Sequence, residues 1–68
     1  MEISLRNQLK GKVVEIISGP VVSEIEVETS AGLITSVITS RSVQHLGLKV
    51  GEEVLAVVKA TEVGIEKP

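Results

Sequence analysis

The chain has 68 residues and a formal net charge of −2, and it contains no cysteine, no aspartate and no Phe, Tyr or Trp. This length predicts one small domain that spans residues 1–68. The missing cysteines exclude disulfides and thiolate chemistry, and a single histidine leaves little for a transition-metal site. A negative charge without aromatic side chains argues against a nucleic-acid partner.

Membrane proteins and enzymes are also disfavoured. No segment is long and apolar enough to cross a membrane, and no signal-peptide pattern precedes the first strand, so a cytoplasmic location is expected. With no cysteine, no aspartate and one histidine, the chain has few groups for general acid–base catalysis. We therefore expect a binding protein without catalytic residues.

The first part of the chain has the pattern of two strands. Residues 2–5 alternate polar and apolar side chains and can begin a strand, and the β-branched run at residues 10–17 predicts a strand that ends before Gly19-Pro20. Residues 21–28 then alternate apolar with acidic side chains, which indicates a half-buried strand with a solvated glutamate face. A cation site is the alternative for these glutamates, but no EF-hand spacing accompanies them.

A hairpin and a short helix follow. Residues 29–32 predict a turn with Gly32 at positive φ, and residues 33–39 predict a third strand. Either Thr39 or Ser40 can cap a helix of at most two turns, which Gly47 would end.

The last part of the chain predicts two more strands. Residues 53–60 are apolar on both faces, so we expect a second subunit to cover the face that the barrel does not bury. Residues 61–66 predict a final strand with inward-facing apolar side chains. These elements together predict an all-β fold with one short helix, a small five-stranded Greek-key barrel of the OB type.

The predicted core is small for the amount of apolar side chain. A core of this size supplies at most about 3–5 kcal/mol of stability, yet 43% of the residues are hydrophobic. We therefore expect a homo-oligomer that buries the remaining aliphatic side chains between subunits.

The polar stretch before the first long strand suits a bound anion. Ser4, Arg6 and Asn7 place a hydroxyl, a guanidinium and an amide within four residues, and all three donate hydrogen bonds. The structural alternative is an ordinary polar lead-in, with Arg6 solvated and Asn7 in a turn. Spacing alone favours the ordinary lead-in.

Three later residues have the same character. Thr39 and Ser42 place hydroxyls at the start of the helix, where backbone N–H groups and the helix dipole favour an anion. Lys59 adds a compact positive charge at the end of an apolar strand. Taken in isolation, these residues favour the structural alternatives, which are plain helix capping for the two hydroxyls and a snorkelling surface position for the lysine.

The opening Ser-x-Arg-Asn-Gln-Leu-x-Gly-x-Val resembles that of the molbindins, small molybdate-binding proteins with a Mop or TOBE-type domain. Further matches lie at Thr35-Ser-Val-Ile-Thr39, Ser42-Val43, Leu46-Gly47-Leu48 and Val58-Lys59-Ala60-Thr61. The resemblance covers essentially the whole chain, and it implies the same OB-like fold.

The resemblance also implies a function. It implies that the chain binds molybdate, and tungstate, as an oxyanion held by hydrogen bonds, without direct protein ligands to the metal and without an organic cofactor. It implies sites between subunits of a hexamer built as a trimer of dimers, for intracellular storage or homeostasis of molybdenum. The residues that match the family's site are Ser4, Arg6, Asn7, Thr39, Ser42 and Lys59. The alternative is a molybdate-sensing accessory or regulatory module that acts on a partner protein in trans.

Overall fold

The computed structural model describes residues 7–68. The strands and the α-helix of these residues are, in chain order, β1 (Asn7–Ile17), β2 (Val22–Thr29), β3 (Gly32–Thr39), α1 (Ser40–Leu46) and β4 (Glu53–Val58). A 3-10 helix at Ala60–Glu62 follows β4. The strand start predicted at residues 2–5 lies outside the described residues.

The four strands form one antiparallel sheet in the order β3-β2-β1-β4, which is the spatial order of a Greek key. The long strand β1 joins the two halves of this sheet, because its first half pairs with β4 and its second half pairs with β2. The register of β1 against β2 shifts between Val13 and Glu15. Such a bulge bends a strand and increases its twist, which lets β1 serve two different neighbours.

The core lies on the inner face of this curled sheet. Val13, Ile25 and Val27 are at most 3% exposed and form its centre. Further half-buried side chains pack against them, namely Ile16, Ile38, Val43, Leu48 and Val54. The predicted alternation of β2 is confirmed, since Ser23, Ile25 and Val27 are buried while the glutamates between them are more exposed.

Strand β4 is apolar on both faces, as predicted. Val54, Ala56 and Val58 are half-buried, whereas Leu55 and Val57 on the other face are 56% and 43% exposed. Other large aliphatic side chains of the described chain are more than 60% exposed, among them Val21, Leu33, Val37, Leu46, Val50 and Ile65. The described residues therefore bury only part of their aliphatic surface.

The prediction of a strand at residues 61–66 is wrong. The Glu62 N–H donates to the Lys59 carbonyl at 2.9 Å, so the chain turns immediately after β4. Residues 63–68 have no regular structure, and Ile65, predicted to face inward, is 93% exposed. An alternating apolar pattern forms a strand only where a neighbouring edge pairs its backbone groups, and this turn takes the chain out of the sheet.

The predicted fold class, all-β with one short helix, is confirmed with four strands instead of five in residues 7–68. Within these residues, no helix has the length and apolar character that crossing a bilayer requires.

Candidate functional site

The structure describes four of the six predicted site residues, namely Asn7, Thr39, Ser42 and Lys59. The other two, Ser4 and Arg6, lie outside the described residues. The four described residues form two separate pairs.

Asn7 and Lys59 form the first pair, which we call the charged end. Asn7 is the first residue of β1 and lies opposite Val58, the last residue of β4. Its side-chain amide Nδ2 donates to the Val58 carbonyl at 3.3 Å. Lys59 follows directly in the chain, and both side chains are exposed. The pairing of β1 with β4 thus places Asn7 and Lys59 at the same end of the sheet.

Thr39 and Ser42 form the second pair, which we call the hydroxyl end. Thr39 has extended backbone angles and caps α1, because its Oγ1 accepts from the Ser42 N–H at 3.1 Å. The same hydroxyl donates to Ser42 Oγ at 2.7 Å. Thr39, and not Ser40, is therefore the helix cap. At the other end of α1, Gly47 has a φ of +63°, the left-handed conformation that ends many helices.

The hydrogen bonds of this pair define which hydroxyl can donate outward. Each hydroxyl carries one proton, and that of Thr39 points at Ser42 Oγ. The proton of Ser42 is not used in this contact, so it can point at a ligand. Because hydrogen bonds in a chain polarise one another, the bond from Thr39 strengthens Ser42 as a donor.

The two ends lie at opposite ends of β1. The charged end is at its first residue, Asn7, while Thr39 pairs with Val22 and so lies beyond Ile17, the last residue of β1. Ten residue steps of strand separate Asn7 from Ile17, a contour length of roughly 33 Å. Thr39 and Ser42 contact each other directly, and the strand register places the hydroxyl end and the charged end at opposite ends of β1 within one chain.

Ser23 and Ser40 are polar residues near the hydroxyl end that the sequence reasoning missed. Ser40 Oγ donates to the Gly19 carbonyl at 2.6 Å and lies 2.7 Å from Ser23 Oγ. Ser23 is 3% exposed. The position of Ser23 on the apolar face of β2 could have indicated this contact, since a hydroxyl buried in a core needs a hydrogen-bond partner.

The glutamates of β2 lie on the sheet face opposite the core. Thr35 Oγ1 donates to both carboxylate oxygens of Glu26, at 2.9 and 3.0 Å. The pKa of Glu24 is raised above its ordinary value, chiefly by a hydrogen bond to Glu26, then by partial burial and by repulsion from Glu26 and Glu15. In residues 7–68, no three His, Cys, Asp or Glu side chains are arranged to hold a metal ion. This acidic face repels anions.

The strands of the curled sheet and the end of α1 line an apolar cavity of about 370 Å³. Its lining is mainly aliphatic, with side chains from β1, β2, β3 and β4 and with Leu46 and Leu48 at the end of α1. A charged ligand would lose its hydration there without gaining hydrogen bonds. The two polar ends of the sheet, and not this cavity, are the candidate anion site.

Residues 3–65 match the model of the TOBE domain. The chain belongs to the TOBE domain family. It is similar to molybdenum-pterin-binding protein 2 of Clostridium pasteurianum, with 53% identity over 66 residues that cover 96% of this chain and 97% of that protein. The resemblance to the molbindins predicted from the sequence is thereby confirmed.

Solved structures confirm the OB-like fold. A molybdate-binding protein from Sporomusa ovata superposes with a TM-score of 0.93 at 40% identity, covering 98% of this chain and 100% of that one. The cytoplasmic molybdate-binding protein ModG, solved with molybdate bound, superposes with a TM-score of 0.81 at 41% identity. The match covers 88% of this chain and 43% of the ModG chain.

Proposed function

We propose that this protein binds molybdate, and tungstate, at sites between subunits and stores or buffers the oxyanion. The similarity to proteins named for binding molybdate and molybdenum-pterin extends over nearly the whole chain. Because this similarity extends over the whole length of proteins of about the same size, it supports a binding protein and not an enzyme.

The observation that carries the proposal is the chemistry of the described site residues. Asn7, Thr39 and Ser42 direct their hydrogen bonds to a backbone carbonyl or to each other, and none of these partners is a carboxylate. A tetrahedral dianion requires donors and positive charge of this kind. Charge-assisted hydrogen bonds contribute roughly 1.5–3 kcal/mol each, so a few of them allow tight binding.

In this proposal the six residues have different tasks. Arg6 and Lys59 neutralise the two negative charges, while the amide and hydroxyl groups bind the oxygens. The residues of the proposed site are Ser4, Arg6, Asn7, Thr39, Ser42 and Lys59.

The separation of the two ends supports a site made by two chains. The two ends lie at opposite ends of β1 in one chain, so we propose that the charged end of one subunit meets the hydroxyl end of another. The exposed aliphatic face of β4, with Leu55 and Val57, supports an oligomer that covers it. We propose a hexamer formed as a trimer of dimers, in the cytoplasm, from single-domain chains.

Native mass spectrometry of the purified protein tests this proposal. Spectra are recorded without added anion, with molybdate, with tungstate, and with excess sulfate as the control for any tetrahedral dianion. We expect a hexamer that takes up several molybdates or tungstates and no sulfate. A monomer, or an oligomer that takes up no molybdate, would refute the proposal.

A further inference from the structure

The first residue of α1 has side-chain contacts that differ from those of its neighbours. Thr39 and Ser42 bond to each other at the exposed surface, whereas the side chain of Ser40, between them in sequence, bonds inward. Its hydroxyl donates to the Gly19 carbonyl at 2.6 Å, and its backbone N–H donates to the Val21 carbonyl at 2.9 Å. Ser40 therefore ties the start of the helix to the turn between β1 and β2.

Ser23 completes this anchor from the core. The only proton of the Ser40 hydroxyl points at Gly19, so in the 2.7 Å contact between the two serines Ser23 must donate and Ser40 must accept. Since Ser23 is 3% exposed, water does not readily replace this bond. The hydroxyl of Ser23 is thus directed from the core toward the surface, through Ser40.

We propose that Ser40, held by the buried Ser23, is a positioning residue for the anion site. It fixes the place of the Thr39–Ser42 hydroxyl pair, and it does not touch the anion. This inference rests on the proposed function, in which that pair contacts molybdate. Anion sites depend on donors held within a few tenths of an ångström by supporting hydrogen bonds, and here the support comes from a different strand and turn.

The test compares the molybdate affinity, measured by isothermal titration calorimetry, with the thermal unfolding midpoint of the same variants. Ser40→Ala and Ser23→Ala should each displace the Thr39–Ser42 pair and weaken molybdate binding, roughly fivefold for one neutral hydrogen bond lost between the pair and the anion, with an unchanged oligomeric state. Ser40→Thr keeps the hydroxyl and should retain the wild-type affinity.

Thr29→Ala is the matched control. It removes a hydroxyl that also makes two hydrogen bonds, to the Gly32 carbonyl at 2.8 Å and from the Ala31 N–H at 3.1 Å, in the β2–β3 hairpin. This variant should lower the unfolding midpoint and leave the affinity unchanged.

A double-variant comparison separates positioning from general stability. In a Ser42→Ala background the Ser40→Ala change should still lower the unfolding midpoint, but it should weaken binding less than it does in the wild-type background, because one of the two hydroxyls it positions is gone. The inference is overturned if Ser40→Ala and Ser23→Ala lower only the unfolding midpoint, as Thr29→Ala does. It is also overturned if Ser40→Ala weakens binding equally with and without Ser42. A wild-type protein that binds no molybdate would instead refute the proposed function.

Discussion

The two ends of β1 are built in different ways. At the charged end, one side-chain hydrogen bond of 3.3 Å adds to the backbone pairing of the exposed Asn7 with β4, and the exposed Lys59 follows Val58 in the chain. At the hydroxyl end, Thr39 and Ser42 are joined twice, and Ser40 makes three further hydrogen bonds to the β1–β2 turn and to the core.

This difference indicates that the two ends contribute differently to anion binding in the proposed site. A rigid end with fixed hydroxyls supplies the geometry that discriminates between oxyanions, because its donors need little reorganisation on binding. An exposed end with long charged side chains supplies attraction, which depends less on exact placement. Changes at the charged end should therefore alter affinity most, and changes at the hydroxyl end should alter affinity less but depend more on the particular atom removed.

The largest effect should come from keeping the two ends apart. Leu55 is 56% exposed on the outer face of β4, and Leu55→Glu would place a charge in the proposed subunit interface. We expect monomers or dimers in native mass spectrometry and no molybdate uptake. Leu55→Met, which keeps the apolar volume, is the control and should remain a hexamer. A Leu55→Glu protein that still forms hexamers would exclude this face from the interface.

Loss of one charge at the charged end should be the next largest effect. Lys59→Ala removes a charge-assisted hydrogen bond, which is worth roughly 1.5–3 kcal/mol, so calorimetry should record a loss in molybdate affinity of about tenfold to a hundredfold. Lys67→Ala removes an equal charge from the exposed C-terminal residues and should bind as the wild type does. Equal losses for both lysines would mean that only net charge matters.

Removing either hydroxyl of the hydroxyl end should have a smaller effect, and the two variants should differ in whether stability or molybdate affinity changes more. Thr39→Ala removes the helix cap, so the free energy of unfolding should fall by about 1 kcal/mol. Ser42→Ala should cost less stability, but it should weaken molybdate binding because it removes the outward donor. Urea unfolding and calorimetry on the same two proteins measure both quantities. If Ser42→Ala binds as tightly as the wild type, the hydroxyl end is not part of the site.

The smallest effect should come from Glu24, on the sheet face opposite the core. Because its pKa in the folded chain is raised above its ordinary value of 4.5, protonation favours the folded state. This stabilisation is complete below the ordinary value and is lost as pH rises through the raised folded pKa. The unfolding midpoint should therefore contain a component that falls as pH rises above about 4.5.

Glu24→Gln removes that component. Its unfolding midpoint should exceed that of the wild type at neutral pH, and the difference should shrink toward acid pH. Glu66→Gln, in the exposed C-terminal residues, is the control. If Glu24→Gln follows the wild-type pH profile as Glu66→Gln should, the raised pKa of Glu24 does not contribute to stability.

The sequence predicted local structure well because the local signals were strong. The alternation of β2, the turn glycine at Gly32 and the helix stop at Gly47 each determine a conformation over a few residues. The final strand failed because strand formation also depends on a paired edge, and the turn at Lys59–Glu62 is not encoded in the apolar alternation of residues 63 and 65.

The candidate site divides in the same way. Residue type and family resemblance selected Asn7, Thr39, Ser42 and Lys59 as donors. Their division into two ends could not be predicted from spacing, because it depends on the register of β1 with β4 and of β2 with β3. The hydrogen bonds of Ser40 also could not be predicted from the sequence, since its partners Gly19 and Ser23 lie about twenty residues away in the chain.

The central claim is that one anion site takes its charged end and its hydroxyl end from different chains. The Lys59→Ala and Ser42→Ala proteins are mixed, unfolded and refolded together to form mixed oligomers. Native mass spectrometry then measures their molybdate uptake at a molybdate concentration at which neither variant alone binds. If the two ends come from different chains, about a quarter of the sites should regain both intact ends by random pairing at a two-chain interface. Mixed oligomers with no recovered sites would contradict the claim, because every site would then draw both ends from one chain.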